Sequence, residues 1–221
     1  MRRAPWPVGL LFGVPLAAAI LLAGPLLLFN PLFTSLLQAR HEVAASFRVT
    51  QADVDRVTTD LLVDIYSDGS FDAAFAGQPP LLDERERSHM HDVSSLLRIL
   101  AAVALLAVVA AGVTGVWLNR EPRRQGRIML LAGGGIGAVG LLVGIAFAVA
   151  FEPTFLAFHA IFFPPGTFLF EPGSNLITLF PEPFWFDASL AAGATVLLSA
   201  AIVALLGLRR LRIGGPTPQS A

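Results

Sequence analysis

Two apolar runs decide the fold: Ile99–Leu118, ILAAVALLAVVAAGVTGVWL, and Ile128–Phe151, IMLLAGGGIGAVGLLVGIAFAVAF, joined by NREPRRQGR at residues 119–127. Neither run carries a charge, and crossing about 30 Å of hydrocarbon takes roughly 20 helical residues. A helix satisfies its own backbone hydrogen bonds, as a bilayer interior requires. The two runs therefore read as a transmembrane hairpin closed by a short loop with Arg120, Arg123, Arg124 and Arg127.

Two further runs qualify, Val8–Phe29 and Ala188–Leu208. The first follows Arg2 and Arg3 and has a signal peptide as its rival reading; its length and the lack of a small-x-small cleavage site favour a retained signal-anchor. The chain as a whole agrees: 55% hydrophobic and 14% charged, with mean hydropathy +0.69. Soluble domains sit near roughly 45–50% apolar and about 25% charged, so a membrane protein is expected. No cysteine is present, which excludes disulfides, thiol nucleophiles and Cys-ligated metals. All 15 cationic side chains are arginine, which excludes lysine chemistry.

Arginine placement sets the expected orientation. Arg2, Arg3, Arg120, Arg123, Arg124, Arg127, Arg209, Arg210 and Arg212 fall on one side of the four runs, opposed there by Glu121 alone. The connections over residues 38–93 and 152–187 are net acidic, and the second holds no arginine. The positive-inside rule puts both termini and the 119–127 loop in the cytoplasm. The expected fold is an all-α, four-transmembrane-helix bundle, N-in and C-in, forming one integral membrane domain over residues 1–221. Gly133-x-x-x-Gly137 and Gly140-x-x-x-Gly144 would let a neighbouring helix of the same bundle approach closely.

The outer connections are expected to form a cap. Thr50-Gln-Ala-Asp53 matches a capping box with an acid in place of the usual Glu. Val54, Val57, Leu61 and Ile65 then share one helical face, and Ser67-Asp68-Gly69 supplies a stop. This short amphipathic helix is expected on the bundle or at the lipid interface. Phe71–Leu82 has no helical period and reads as a loop, with room for a short strand. A second start, Asp83-Glu-Arg-Glu86, extends the second span outward by two or three turns. Phe151–Phe186 holds ten phenylalanines and one tryptophan. Within it, Thr167–Phe170 and Leu176–Phe180 flank Glu171-Pro-Gly-Ser-Asn175 and read as a small β-hairpin.

All four histidines, His41, His89, His91 and His159, fall on the outer side by this topology. Histidine transfers protons near neutral pH. His89 and Asp92 are spaced i, i+3, so on a helix the carboxylate can orient the ring; the alternative is a surface ion pair. His91 lies roughly 200° round the helix from His89 and should point elsewhere. His159 sits in an apolar setting, Phe158-His-Ala-Ile-Phe162-Phe163, where an ionisable group is costly unless it serves a purpose; the alternative is an interfacial histidine snorkelling to water. His41, between Arg40 and Glu42, reads as a solvated surface residue. A zinc site from His89, His91, His159 and an acid is a weaker reading, because a His-x-His pair chelates from a strand rather than a helix. No cofactor is expected, and no metal.

His89-Met90-x-Asp92-Val93, Phe158-His159-x-Ile161-Phe162-Phe163 and Leu179-Phe180-Pro181-Glu182-x-Phe184-Trp185-Phe186, in this order, resemble the bacterial four-span family that contains lipoprotein intramolecular transacylase. Val49-Thr50-x-x-Asp53-Val54 and Leu61-x-x-x-Ile65-Tyr66-x-x-Gly69 resemble its first outer segment. The resemblance implies transfer of an acyl chain from a diacylglyceryl lipoprotein to the amine of its own N-terminal cysteine, yielding the lyso form. It implies His89 and His159 as the catalytic pair with Asp92 as orienter. Phe158, Phe162, Phe163, Phe184 and Trp185 would line a substrate groove. The expected partners are a diacylglyceryl lipoprotein or another lipid substrate and membrane lipids, with no nucleic acid. The expected state is a monomer in the bacterial cell membrane, its site on the extracytoplasmic face. Two other readings stand beside this one: a non-enzymatic lipid- or lipoprotein-binding membrane protein, and a His-liganded metal-dependent hydrolase.

Overall fold

The structure, a computed structural model, describes residues 6–213; Arg2 and Arg3 lie outside the described residues. The described residues form nine helices and no strand: α1 Trp6–Leu27, α2 Pro31–Arg40, α3 Val43–Phe47, α4 Gln51–Ser67, α5 Glu84–Leu118, α6 Pro122–Val149, α7 Phe151–Phe162, α8 Asn175–Leu179 and α9 Glu182–Ile213. Four of these helices are long and apolar enough to cross a membrane: α1, α5, α6 and α9. Their large apolar side chains, among them Leu105, Leu106, Leu131, Leu142, Leu198 and Leu205, stand exposed on the chain. Water does not tolerate an apolar surface this extensive, whereas lipid does. The protein is a multi-pass membrane protein.

The chain separates into two compact units, residues 1–25, 101–143 and 193–221, and residues 26–100 and 144–192. In the first unit α6 and α9 pack backbone to backbone. A Cβ at Gly126 would come within 2.6 Å of the Gly207 carbonyl oxygen, and one at Gly133 within 2.6 Å of the Ala200 carbonyl oxygen. Gly137 and Gly140 continue the line against Ala200 and Val196. The seam thus uses one face, Gly126, Gly133, Gly137 and Gly140, while Gly134, Gly135 and Gly144 look into open space. Small residues suit this contact because lipid-immersed helices gain from close van der Waals approach rather than from leaving water. Val8, Phe12, Ala111 and Leu118 form a second contact within the same unit.

The second unit has a conventional buried core. Thr50 caps α4 reciprocally with Asp53, the expected box, and the helix ends at Ser67 with Asp68 in the left-handed region. Val54, Val57, Leu61 and Ile65 are all buried in that core with Phe71, Phe75, Leu82, Met90, Leu97, Leu176 and Leu179. The amphipathic helix therefore seats its apolar face on protein. Buried polar groups tie the elements: Gln38 Nε2 donates to Thr58 Oγ1 at 3.0 Å and to the Leu179 carbonyl at 3.1 Å, and Ser94 Oγ donates to the Ile65 carbonyl at 2.7 Å. Leaving such buried groups unpaired costs more than the bonds themselves contribute.

Two expectations need correction. The small β-hairpin does not form: Ser174 caps a helix by accepting from Ile177 N, and Leu176 and Leu179, one helical turn apart, are buried together. Pro-Gly-Ser at 172–174 is a helix start here rather than a hairpin turn. Residues 71–82 are the expected irregular loop, without a strand, closed by Leu81 N on the Ala73 carbonyl. The connections over residues 30–83 and 150–181 also contain more helix than expected. Asn30 caps α2, with Pro31 at its first position, and α6 breaks at Ala150 before α7.

A pair of histidines among aromatic rings

The site lies in the second unit. α5 begins well ahead of the apolar run at Ile99, so His89 rides on a regular helix outside that run. Asp83 and Glu86 start this helix as a reciprocal cap, Asp83 N on Glu86 Oε2 at 2.9 Å and Glu86 N on Asp83 Oδ1 at 2.8 Å. α7 carries His159 in its last turns; Pro153 falls in its first turn, where the missing N–H is tolerated.

These two elements bring His89 and His159 together. Their ring centroids lie 6.1 Å apart with planes 28° from parallel. Aromatic rings surround the pair: Phe163 and Phe170 meet His89 edge-on at 4.9 and 5.6 Å. Phe155, Phe158, Phe163 and Phe168 surround His159 at 4.1 to 5.6 Å. His89 is 6% exposed.

Burial disfavours an imidazolium. It is the main reason the His89 pKa falls from 6.5 to about 4, with His159 adding to the depression and the Asp92 charge opposing it. Burial also lowers the His159 pKa, and the Phe155 carbonyl works against the shift. Both rings are accordingly neutral at pH 7. His159 Nδ1 lies 2.9 Å from the Phe155 carbonyl oxygen. A carbonyl can only accept, so Nδ1 holds the proton and the Nε2 lone pair is free. His89 Nδ1 is buried with no hydrogen-bond partner.

The remaining expected site residues are distributed unevenly. Asp92 makes no hydrogen bond to His89 and reaches it through charge alone. Phe158 and Phe163 border the pair; Phe162 stacks on Phe158 at 4.9 Å. Trp185 is joined to the site through Phe155 at 6.0 Å. Phe184 is buried between Phe180 and Trp185. His91 points away, its ring edge-on to Phe71 at 5.0 Å. Among the described residues no three His, Asp or Glu side chains converge as metal ligands. His41 is no free surface residue: its Nε2 lies 2.9 Å from Asp187 Oδ2, which Arg40 also contacts at 3.2 Å.

Sequence reasoning missed Phe155, Phe168 and Phe170 as neighbours of the histidines. Phe155 was legible, because it lies i−4 from His159 on one helix. Phe168 and Phe170 sit on an irregular loop, where no period places a side chain.

The sequence model of the family "Lipoprotein intramolecular transacylase Lit" matches residues 10–185. The chain belongs to that family. The membrane integral lipoprotein intramolecular transacylase Lit from Bacillus cereus has the same fold, with TM-score 0.82, 16% identity, and coverage of 94% of this chain and 95% of that one. Forms of that protein with a histidine replaced by arginine or by alanine superpose with TM-scores of 0.74 and 0.72. An uncharacterized protein of Aquifex aeolicus is 27% identical over 126 residues, 57% of this chain. The match spans 56% of that relative's length. As a member of this family the chain is classed with transacylases, and its fold is that of a membrane-integral one.

Proposed function

We propose that this protein moves an acyl chain from the diacylglyceryl group of a bacterial lipoprotein to the α-amine of that lipoprotein's N-terminal cysteine. The observation that carries the reading is the approach of two neutral histidines from different helices, His89 buried and His159 half-buried, 6.1 Å between ring centroids, inside an aromatic enclosure. A binding or scaffolding protein has no need to desolvate two titratable rings against each other.

The chemistry requires proton handling and no enzyme nucleophile. The substrate amine attacks the ester carbonyl carbon, a C–N bond forms, and the carbonyl oxygen becomes an oxyanion. His159 Nε2, free because Nδ1–H is tied to the Phe155 carbonyl, takes the proton from the attacking nitrogen. As the C–O bond to glycerol breaks, the same proton passes to the departing glyceryl oxygen, and the products are an amide and an alcohol. Neutral His89 donates a hydrogen bond to the oxyanion, and Asp92 opposes the loss of proton affinity that burial imposes on it. General acid–base help of this kind contributes roughly 10²–10⁴-fold. Carrying amine and ester in one substrate supplies proximity without the entropy cost of a second encounter.

Phe158, Phe162 and Trp185 would receive the acyl chains, with Phe163 and Phe184 as the buried wall behind them. The arginines of the 119–127 loop and of the end of α9 put those segments, and both termini, in the cytoplasm. The histidine pair then works on the extracytoplasmic face of the bacterial cell membrane, in a monomeric chain acting as one integral domain. The test is mass spectrometry of a lipoprotein N-terminus with and without this protein. An acyl group on the cysteine amine is expected with it, and an unmodified amine in its presence rejects the proposal.

A further inference from the structure

One helical turn before His89, Glu86 is 1% exposed, and its carboxyl group spans two elements. Oε2 accepts from Asp83 N at 2.9 Å, and Oε1 accepts from Leu176 N at 2.8 Å, in the first turn of α8. The same joint is reinforced by Asn175 Nδ2 on the Leu81 carbonyl at 2.7 Å and by Arg85 Nη2 on the Leu169 carbonyl at 3.3 Å. The Arg85 guanidinium also lies 6.0 Å from the centroid of the Phe170 ring.

The loop so anchored, residues 163–174, is the one that delivers Phe163 and Phe170 to His89 and Phe168 to His159. It has no regular secondary structure of its own to hold these rings in place. A buried carboxyl group with both oxygens on backbone N–H groups is a rigid, two-point tie. We propose that Glu86 is a positioning residue whose carboxyl group, by holding Leu176 N and Asp83 N, seats the 163–174 loop over the His89–His159 pair. Glu86 touches no reacting atom in this scheme; it acts through the loop, which shields the pair from water and fixes its rings. The inference rests on the reading of that pair as the reacting groups.

Glu86→Gln keeps the shape but leaves one acceptor where two are needed, so one backbone N–H loses its partner. Turnover per folded protein is expected to fall about tenfold or more, since small misplacements of reacting groups are costly. A second readout does not depend on activity. The chain has no cysteine, so His159→Cys gives a single thiol beneath the loop and Leu61→Cys a single thiol in the core. With Glu86→Gln added, maleimide labelling is expected to accelerate at His159→Cys and to stay unchanged at Leu61→Cys. Wild-type labelling at His159→Cys, or equal acceleration at both thiols, overturns the proposal. If Glu86→Gln does not fold, Asn175→Ala decides, by faster or unchanged labelling at His159→Cys. Faster labelling at His159→Cys, beside a wild-type chain that transfers no acyl group, would leave the positioning role standing and remove the transacylase reading instead.

Discussion

The two compact units solve the same packing problem with different chemistry. In the unit containing α6 and the end of α9, helices meet through Gly126, Gly133 and Gly207, with backbone against backbone. In the other unit, Gln38, Glu86, Ser94 and Asn175 reach across elements to main-chain donors and acceptors around a core of Val, Leu and Phe. Lipid offers no hydrophobic gain for bringing helices together, so close approach of small residues has to serve. Outside the apolar runs, burial from water is available, and polar ties then specify which backbone meets which. Only the second unit can afford two desolvated imidazoles, because its irregular loops can be pinned over them.

The largest expected effect separates the units by function. His159→Ala and His89→Ala are each expected to lower acyl transfer by at least about 10²-fold, with the folded yield and melting temperature retained. Mass spectrometry of the lipoprotein N-terminus measures the first quantity. Retained transfer in either variant would end the two-histidine account.

The seam should respond in the opposite sense, in stability rather than in rate per folded molecule. Gly133→Ala drives a methyl into the Ala200 carbonyl, and overpacking of this sort costs about 1–3 kcal/mol. Gly134→Ala, which looks into open space, should be neutral or slightly stabilising. Thermal melts in the same detergent compare the two, and equal behaviour would dissolve the one-faced seam.

A pH dependence sharpens the comparison further. The His89 pKa is held near 4 in the fold against an ordinary 6.5. Between those values the unfolded chain takes up a proton that the folded chain refuses. The stability linked to His89 is therefore full above about pH 6.5 and declines as pH falls toward about 4. Melts of wild type and His89→Gln over that range should differ in slope, with the variant flatter. Parallel curves would mean that His89 is not held neutral.

The smallest effect is expected at His91, which turns to Phe71 rather than to the pair. His91→Ala should leave transfer within about twofold of wild type, as a substitution away from the reacting groups should. A loss as large as that of His89→Ala would put His91 in the site and revive a metal reading.

The spans were legible because uncharged runs of that length have one stable form in lipid. α4 was legible because its cap, its period of 3.6 and its stop all agree. The starts of α2 and α7 were legible in principle, since Asn30-Pro31 and Glu152-Pro153 are both helix-start patterns. They were overshadowed by the apolar runs beside them. Pro-Gly-Ser-Asn at 172–175 was ambiguous, because the residues that make a hairpin turn also begin a helix; burial of Leu176 and Leu179 decides for the helix.

By itself, then, the sequence determined the membrane class, the four apolar runs and the residues able to move protons, since these follow from composition, run length and side-chain chemistry. The tertiary structure decided that His89 and His159 face each other, that Phe155 rather than Asp92 orients a ring, and that Glu86 ties the loop above them. The first and the last of these join residues 70 and 90 positions apart in the chain. No local period encodes those two, and only the packing of the whole unit selects them.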